Sequence, residues 1–177
     1  MIQGLIVDAD NDLSFKSLES VNISEYRFIS VFAEKLDFMK NGCLSPKSDV
    51  KLNIRCNFAS ENLSAAISAR PHSVTIVADK EHILEYSFGV DVLKFKPQIR
   101  EIINCCHNYN IKCGVSTDFR HENILHAGDC GADFVEIDYN QYDNNIEQYK
   151  LTEEILKERD LDLIKKEKNT LTYFKLQ

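Results

Sequence analysis

Short apolar runs alternate along the chain with longer amphipathic segments. Residues 4–8 (GLIVD), 27–32 (RFISVF), 50–57 (VKLNIRCN), 73–79 (SVTIVAD), 112–118 (KCGVSTD) and 134–140 (FVEIDYN) read as strands, most of them carrying β-branched or aromatic side chains. The run at 73–79 is nearly continuous, as expected of a strand buried on both faces. Helical patterns fall between these runs. Over 60–69, Leu63, Ala66 and Ile67 share one face, Ser60 is placed to cap, and Arg70-Pro71 ends the segment. Over 95–108, Phe95, Ile99, Ile102, Ile103 and Cys106 keep the 3.6-residue period, with Pro97 in the first turn. Residues 121–129 predict a short helix stopped near Gly131, and 145–158 a charged helix with Ile146, Tyr149, Ile155 and Leu156 turned inward. Asn41-Gly42 and Ser45-Pro46 mark turns within 33–49. Beyond Asp160 the pattern fades into a weak strand at 161–164, the mixed-charge run Lys165-Lys166-Glu167-Lys168 and an apolar stretch at 171–176.

Strands that alternate with helices pair in parallel, because each crossover must pass over the sheet. Six strands and a weaker seventh fit a (β/α) barrel or an open doubly wound sheet. A flavodoxin-like sheet would carry strand order 2-1-3-4-5 and a flavin at its switch point, and no pattern in the sequence signals a flavin. The 177 residues show no linker, low-complexity stretch or repeat, so one domain over 1–177 is expected.

Composition narrows the function. The 21 Lys+Arg against 28 Asp+Glu leave a net charge of −7, which argues against binding nucleic acid or an anionic membrane. Neither G-x-G-x-x-G nor G-x-x-x-x-G-K-[ST] occurs, so the commonest phosphate loops are absent. The run from Met1 to Asp8 lacks the basic and long apolar regions of a signal peptide, and no stretch is long enough to span a bilayer. The expected compartment is therefore the cytoplasm, with Cys43, Cys56, Cys105, Cys106, Cys113 and Cys130 as free, mostly buried thiols. Their spacing misses the C-x₂-C pattern. His72, His82, His107, His121 and His126 build no metal motif; His121-Glu122 and Leu125-His126 miss H-E-x-x-H by one residue. No metal and no cofactor are expected.

The residues from 50 to 143 resemble the pyridoxine 5'-phosphate synthase family, which closes the pyridine ring of vitamin B6. Its R-L-N-L-E-M strand corresponds to Lys51-Leu52-Asn53-Ile54-Arg55-Cys56. Its K-P-x-x-V-T-L-V-P-E-K corresponds to the stretch from Arg70-Pro71 to Asp79-Lys80, and its G-G-L-D-V to Phe88-Gly89-Val90-Asp91-Val92. G-I-x-V-S-L-F-I-D matches the stretch from Asn110 to Asp118. G-A-D-x-I-E-L-H-T-G-x-Y, the most distinctive motif, matches Gly131-Ala132-Asp133-Phe134-Val135-Glu136-Ile137-Asp138-Tyr139-Asn140-Gln141-Tyr142. Ile6-Val7-Asp8-Ala9 fits the end of a V-N-I-D-H strand, and Asn169-Thr170-Leu171-Thr172-Tyr173 fits H-G-L-T-Y.

The resemblance implies a TIM-type (β/α) barrel, here incomplete with about seven of eight strands, since the chain stops where the seventh unit should end and barrels usually take about 250 residues. It implies assembly into oligomers. The open edges of strands one and seven would promote that assembly. It also implies a transferase that condenses 1-deoxyxylulose 5-phosphate with 3-amino-2-oxopropyl phosphate, so a small phosphorylated sugar or amino-ketone is the expected ligand. Such chemistry uses acid/base groups at the C-terminal ends of the strands.

Most of those positions are substituted. The family's strand-three glutamate falls on Arg55, which cannot act as a base at neutral pH. Its strand-two histidine falls on Phe32, and the arginine two residues on falls on Glu34. The strand-one asparagine and histidine fall on Ile6 and Ala9, the strand-seven histidine on Asn169, and a loop threonine near Glu85 or Tyr86. Asp8 remains at a substrate-contacting position and Glu136 at a polar position that assists catalysis. Arg55 within a barrel strand requires an anion: either a bound substrate phosphate or an internal partner among Glu136, Glu34 and Asp8. The expected protein is thus a divergent family member whose activity is lost or strongly impaired, with an active enzyme built on a rearranged site as the alternative.

Overall fold

The computed structural model describes residues 2–7, 28–33, 51–78, 89–139, 146–167 and 170–174, with backbone only at 2–7, 146–149, 167 and 170–174. Its strands are β1 (Ile2–Val7), β2 (Phe28–Phe32), β3 (Lys51–Cys56), β4 (Ser73–Ile76), β5 (Lys112–Thr117), β6 (Phe134–Asp138), β7 (Asp162–Glu167) and β8 (Thr170–Phe174). The helices within the described residues are α1 (Ser60–Ser68), α2 (Lys96–Asn108), α3 (His121–Asp129) and α4 (Ile146–Glu158). Strands β1 to β7 pair in parallel, each with the next, as the alternating pattern requires. This is a TIM-type barrel with seven parallel strands; the open flavodoxin-like order does not occur.

The eighth place is filled in an unexpected way. β8 lies antiparallel to β7, pairing Leu163 with Phe174 and Glu167 with Thr170. Its other edge runs antiparallel to β1, pairing Ile2 with Tyr173 and Leu5 with Thr170. The sheet closes, and the open edges expected on the first and seventh strands are both covered. The charged run Lys165-Lys166-Glu167 belongs to β7 and is not a connection. An antiparallel neighbour needs only a short turn, where a parallel one needs a crossover of a dozen or more residues.

The strands alternate in an inverted sense. Ile29, Val31, Ile54, Cys56, Val74, Ile76, Cys113, Val115, Val135, Ile137 and Leu163 face outward and share one core with Ile99, Ile102, Ile103, Ile124, Ala127, Ile155 and Leu156 of the helices. The opposite faces point into the barrel, where Phe28, Phe134 and Ile164 form a separate apolar cluster with Phe32 against it. Gly114 on β5 is part of that interior: a Cβ there would collide with the ring and carbonyl of Phe134. The α2 stripe is buried as its period predicts, with Pro97 in the first turn. In α1 the cap differs from expectation. Ala59 is the N-cap residue with no side-chain bond, and Asn57 Oδ1 instead accepts from Ala59 N at 3.0 Å and from Asn62 Nδ2 at 2.8 Å. Gly131 ends α3 at a φ of 88°, where a side chain would be strained.

Three helices converge on Asp129. Its carboxylate accepts from Lys96 Nζ at 2.9 Å, lies 3.1 Å from His126 Nδ1, and pairs with Arg159 beyond α4. Cysteines 56, 105, 106, 113 and 130 are free thiols. The hydrogen bond with Cys106, reinforced by burial, pushes the Cys113 thiol well up. No helix among the described residues is long and apolar enough to cross a membrane.

Two predictions come from this architecture. A chain ending at Glu167 exposes β1 and β7; light scattering should show self-association beyond the parent's own assembly state, and an unchanged mass with the same Tm would refute the closing role of β8. Lys96, then His126 and Arg159, hold the Asp129 carboxyl below the usual carboxylate range. A depressed carboxyl contributes stability above its unfolded pKa of about 3.9 and loses it as pH falls further. Thermal melts between pH 5 and 2 should therefore fall less steeply for Asp129→Asn than for the parent, and parallel slopes would refute this.

Candidate functional site

The barrel interior is polar above its apolar cluster, because β3 to β6 place Asn53, Arg55, Thr75, Ser116 and Glu136 on their inward faces. Ser30 Oγ donates to Asn53 Oδ1 at 2.7 Å. Asn53 Nδ2 donates to Ser73 Oγ at 2.8 Å and to Thr75 Oγ1 at 3.0 Å. Every polar end of Asn53 is thereby satisfied, as a side chain 2% exposed requires.

Arg55 and Glu136 meet across the interior. They stand on β3 and β6, which are not neighbours in the sheet, so the contact spans the barrel. Arg55 Nη1 donates to Glu136 Oε2 at 2.6 Å and Nη2 to Oε1 at 2.7 Å, a parallel two-bond fork. The side chains are 4% and 0% exposed. Ser116, in register with Glu136, donates its hydroxyl to Oε1 at 3.0 Å. The Phe32 ring lies beside the guanidinium, its centroid 5.4 Å from Cζ. Arg55 Nε is buried with no hydrogen-bond partner.

The barrel rim is tied down separately. Gly89 lies so close to β5 that a Cβ would strike the Thr117 backbone, which accounts physically for a glycine in the Phe88-Gly89-Val90-Asp91 motif. Val90 N donates to Ser116 O at 2.8 Å, and Thr117 Oγ1 returns a bond to Val90 O at 3.0 Å. Asn123 Oδ1 accepts from Val92 N at 3.0 Å while its Nδ2 donates to Asp118 at 2.9 Å. Between β7 and β6, Lys166 Nζ donates to Asp138 at 2.9 Å. Among the described residues, no three His, Cys, Asp or Glu side chains are grouped to hold a metal ion.

Of the three site residues expected from sequence, the structure brings Arg55 and Glu136 together. Asp8 lies outside the described residues, as do Ala9, Glu34, Glu85, Tyr86 and Asn169. Between the two readings of Arg55, the geometry supplies the internal partner, Glu136. Sequence reasoning missed Ser116; its signal was the in-facing parity it shares with Gly114 on β5. Nothing in the sequence signals that the Phe32 ring packs against the Arg55 guanidinium.

Breaking a buried pair strands a charge and typically costs about 3–5 kcal/mol, while replacing both partners by apolar groups is often close to neutral. Chemical denaturation of Arg55→Met and of Glu136→Leu should show losses of that order, and the double variant a much smaller one. Additive losses would mean that the two side chains are not coupled.

The family model described as "Pyridoxal phosphate biosynthesis protein PdxJ" matches residues 41–170. A pyridoxine 5'-phosphate synthase of Ehrlichia chaffeensis is 32% identical over 106 residues, covering 60% of this chain and 44% of its own. Those of Nautilia profundicola and Prochlorococcus marinus are each 27% identical, over 58% and 73% of this chain and 40% and 56% of theirs. The chain thus spans about half the length of the curated relatives it matches. Among solved structures, an aldolase designated QR15 superposes with a TM-score of 0.61 at 15% identity, covering 92% of this chain and 77% of that one. A putative deoxyribose-phosphate aldolase from Coccidioides immitis gives 0.58 at 11% identity, over 90% and 68%. These two likenesses show the shared barrel fold alone. The family-model match over residues 41–170, most of the chain, makes this protein a member of the PdxJ family of pyridoxal phosphate biosynthesis proteins.

Proposed function

We propose that this chain is a divergent pyridoxine 5'-phosphate synthase-like protein whose ring-closing activity is lost or strongly impaired. The observation that carries the reading is the buried Arg55–Glu136 fork. The position that resembles the family's acid/base glutamate holds a permanently charged guanidinium. The remaining carboxylate at 136 has both oxygens engaged by that guanidinium and one also by Ser116. Neither group is free to move protons on a substrate. Loss of a single acid/base group costs about 10²–10⁴-fold in rate, and several aligned positions are substituted together.

In this reading the condensation of 1-deoxyxylulose 5-phosphate with 3-amino-2-oxopropyl phosphate does not proceed at a useful rate. Asp8 contributes to whatever recognition of a small phosphorylated sugar or amino-ketone remains, while Arg55, the other position aligned with substrate contact, is taken up by Glu136. The protein works in the cytoplasm as a homo-oligomer, assembled through a surface other than the sheet edges that β8 covers. Neither nucleic acid nor a membrane is a partner, in keeping with the net charge of −7. The second reading, an active synthase with a rearranged site, draws on the unpartnered donor at Arg55 Nε.

Incubating the purified chain with both phosphorylated substrates and following pyridoxine 5'-phosphate by chromatography separates the two. No product above the protein-free control is expected. Turnover approaching that of a complete family member would establish the second reading.

A further inference from the structure

The interior pair has the form of a receptor and its ligand. Arg55 offers a planar two-donor edge, matched to the two oxygens of a carboxylate at 2.6 and 2.7 Å. Ser116 adds a third donor to the same oxygen at 3.0 Å. The Phe32 ring sits against the cation, its centroid 5.4 Å away. The guanidinium is almost fully enclosed, and its Nε finds no acceptor. A buried cation held this way demands an anion, and planarity together with the two-donor spacing selects a carboxylate over a halide.

We propose that Arg55, Ser116 and Phe32 form a carboxylate-binding site inside the barrel, which Glu136 occupies as an intramolecular ligand. The site accepts a small monocarboxylate, of formate or acetate size, once the Glu136 side chain is removed. This rests on the reading that the pair closes the barrel centre, but it concerns what the enclosed site recognises and not whether the chain turns over substrate.

The test uses the full chain. Glu136→Ala leaves the receptor and deletes its ligand. Melting curves are measured in acetate, phosphate and chloride at equal ionic strength, for the parent, for Glu136→Ala and for Arg55→Met/Glu136→Ala. Acetate should raise the Tm of Glu136→Ala saturably, by about 5 °C at a hundredfold excess over its Kd. The parent, already self-occupied, should not respond, and neither should the double variant, which lacks the guanidinium. If Glu136→Ala does not fold in chloride, recovery of folded protein on refolding into acetate reads the same interaction. The proposal is overturned by no shift and no recovery in acetate, by an equal response of the double variant, or by chloride acting as well as acetate. A wild-type chain that makes pyridoxine 5'-phosphate would refute the functional reading instead, so the two failures remain distinct.

Discussion

Once Arg55 sits on an inward face of β3, the rest of the barrel centre is constrained by its charge. A guanidinium enclosed at 4% exposure is strongly unfavourable without an anion aligned to it. The fold supplies that anion from across the barrel, through the parity of β6 that turns Glu136 inward and the register of β5 that sets Ser116 beside it. The same pairing that satisfies the charge also consumes the carboxylate, so one interaction both completes the interior and removes its most obvious reagent. Net stabilisation by such a pair is small, because desolvation of two ions offsets their attraction; its strength is as a constraint on what else can occupy the space.

Closure is the second constraint. A parallel eighth strand would need its own crossover, and here an antiparallel hairpin strand takes that place with four residue pairs to β1 and five to β7. One face of each strand turns apolar side chains outward to the helices, and the inward faces carry polar residues together with a second, smaller apolar cluster. The interior holds the apolar cluster of Phe28, Phe134 and Ile164, the Ser30–Asn53–Thr75 bonds and the ion pair.

Much of this was legible in the sequence, where local pattern and tertiary burial agreed. The α2 stripe, the bounds of α3 and the six clear strands follow from periodicity alone. The strand at 73–79 is shorter than its apolar run suggests, since the ladder ends at Ile76 and Val77 only bonds back to Cys56 O at 2.9 Å. β7 was underestimated because Lys165, Lys166 and Glu167 look solvated; Lys166 is held by Asp138, and Lys165 lies over the Tyr139 ring at 4.6 Å. The direction of β8 could not be read locally, because Thr170–Phe174 alternates equally well in a parallel or an antiparallel ladder. The site was half legible: an arginine in a strand announces a need for an anion, but three carboxylates were eligible and only the cross-barrel geometry selects Glu136.

The account depends on the centre of the barrel being occupied by its own side chains. Titration of the full-length chain with 1-deoxyxylulose 5-phosphate in a calorimeter tests this most directly. No saturable heat is expected at ligand concentrations up to the millimolar range. Stoichiometric binding that disappears in Arg55→Met would contradict the account, because it would show the guanidinium holding a substrate in place of Glu136.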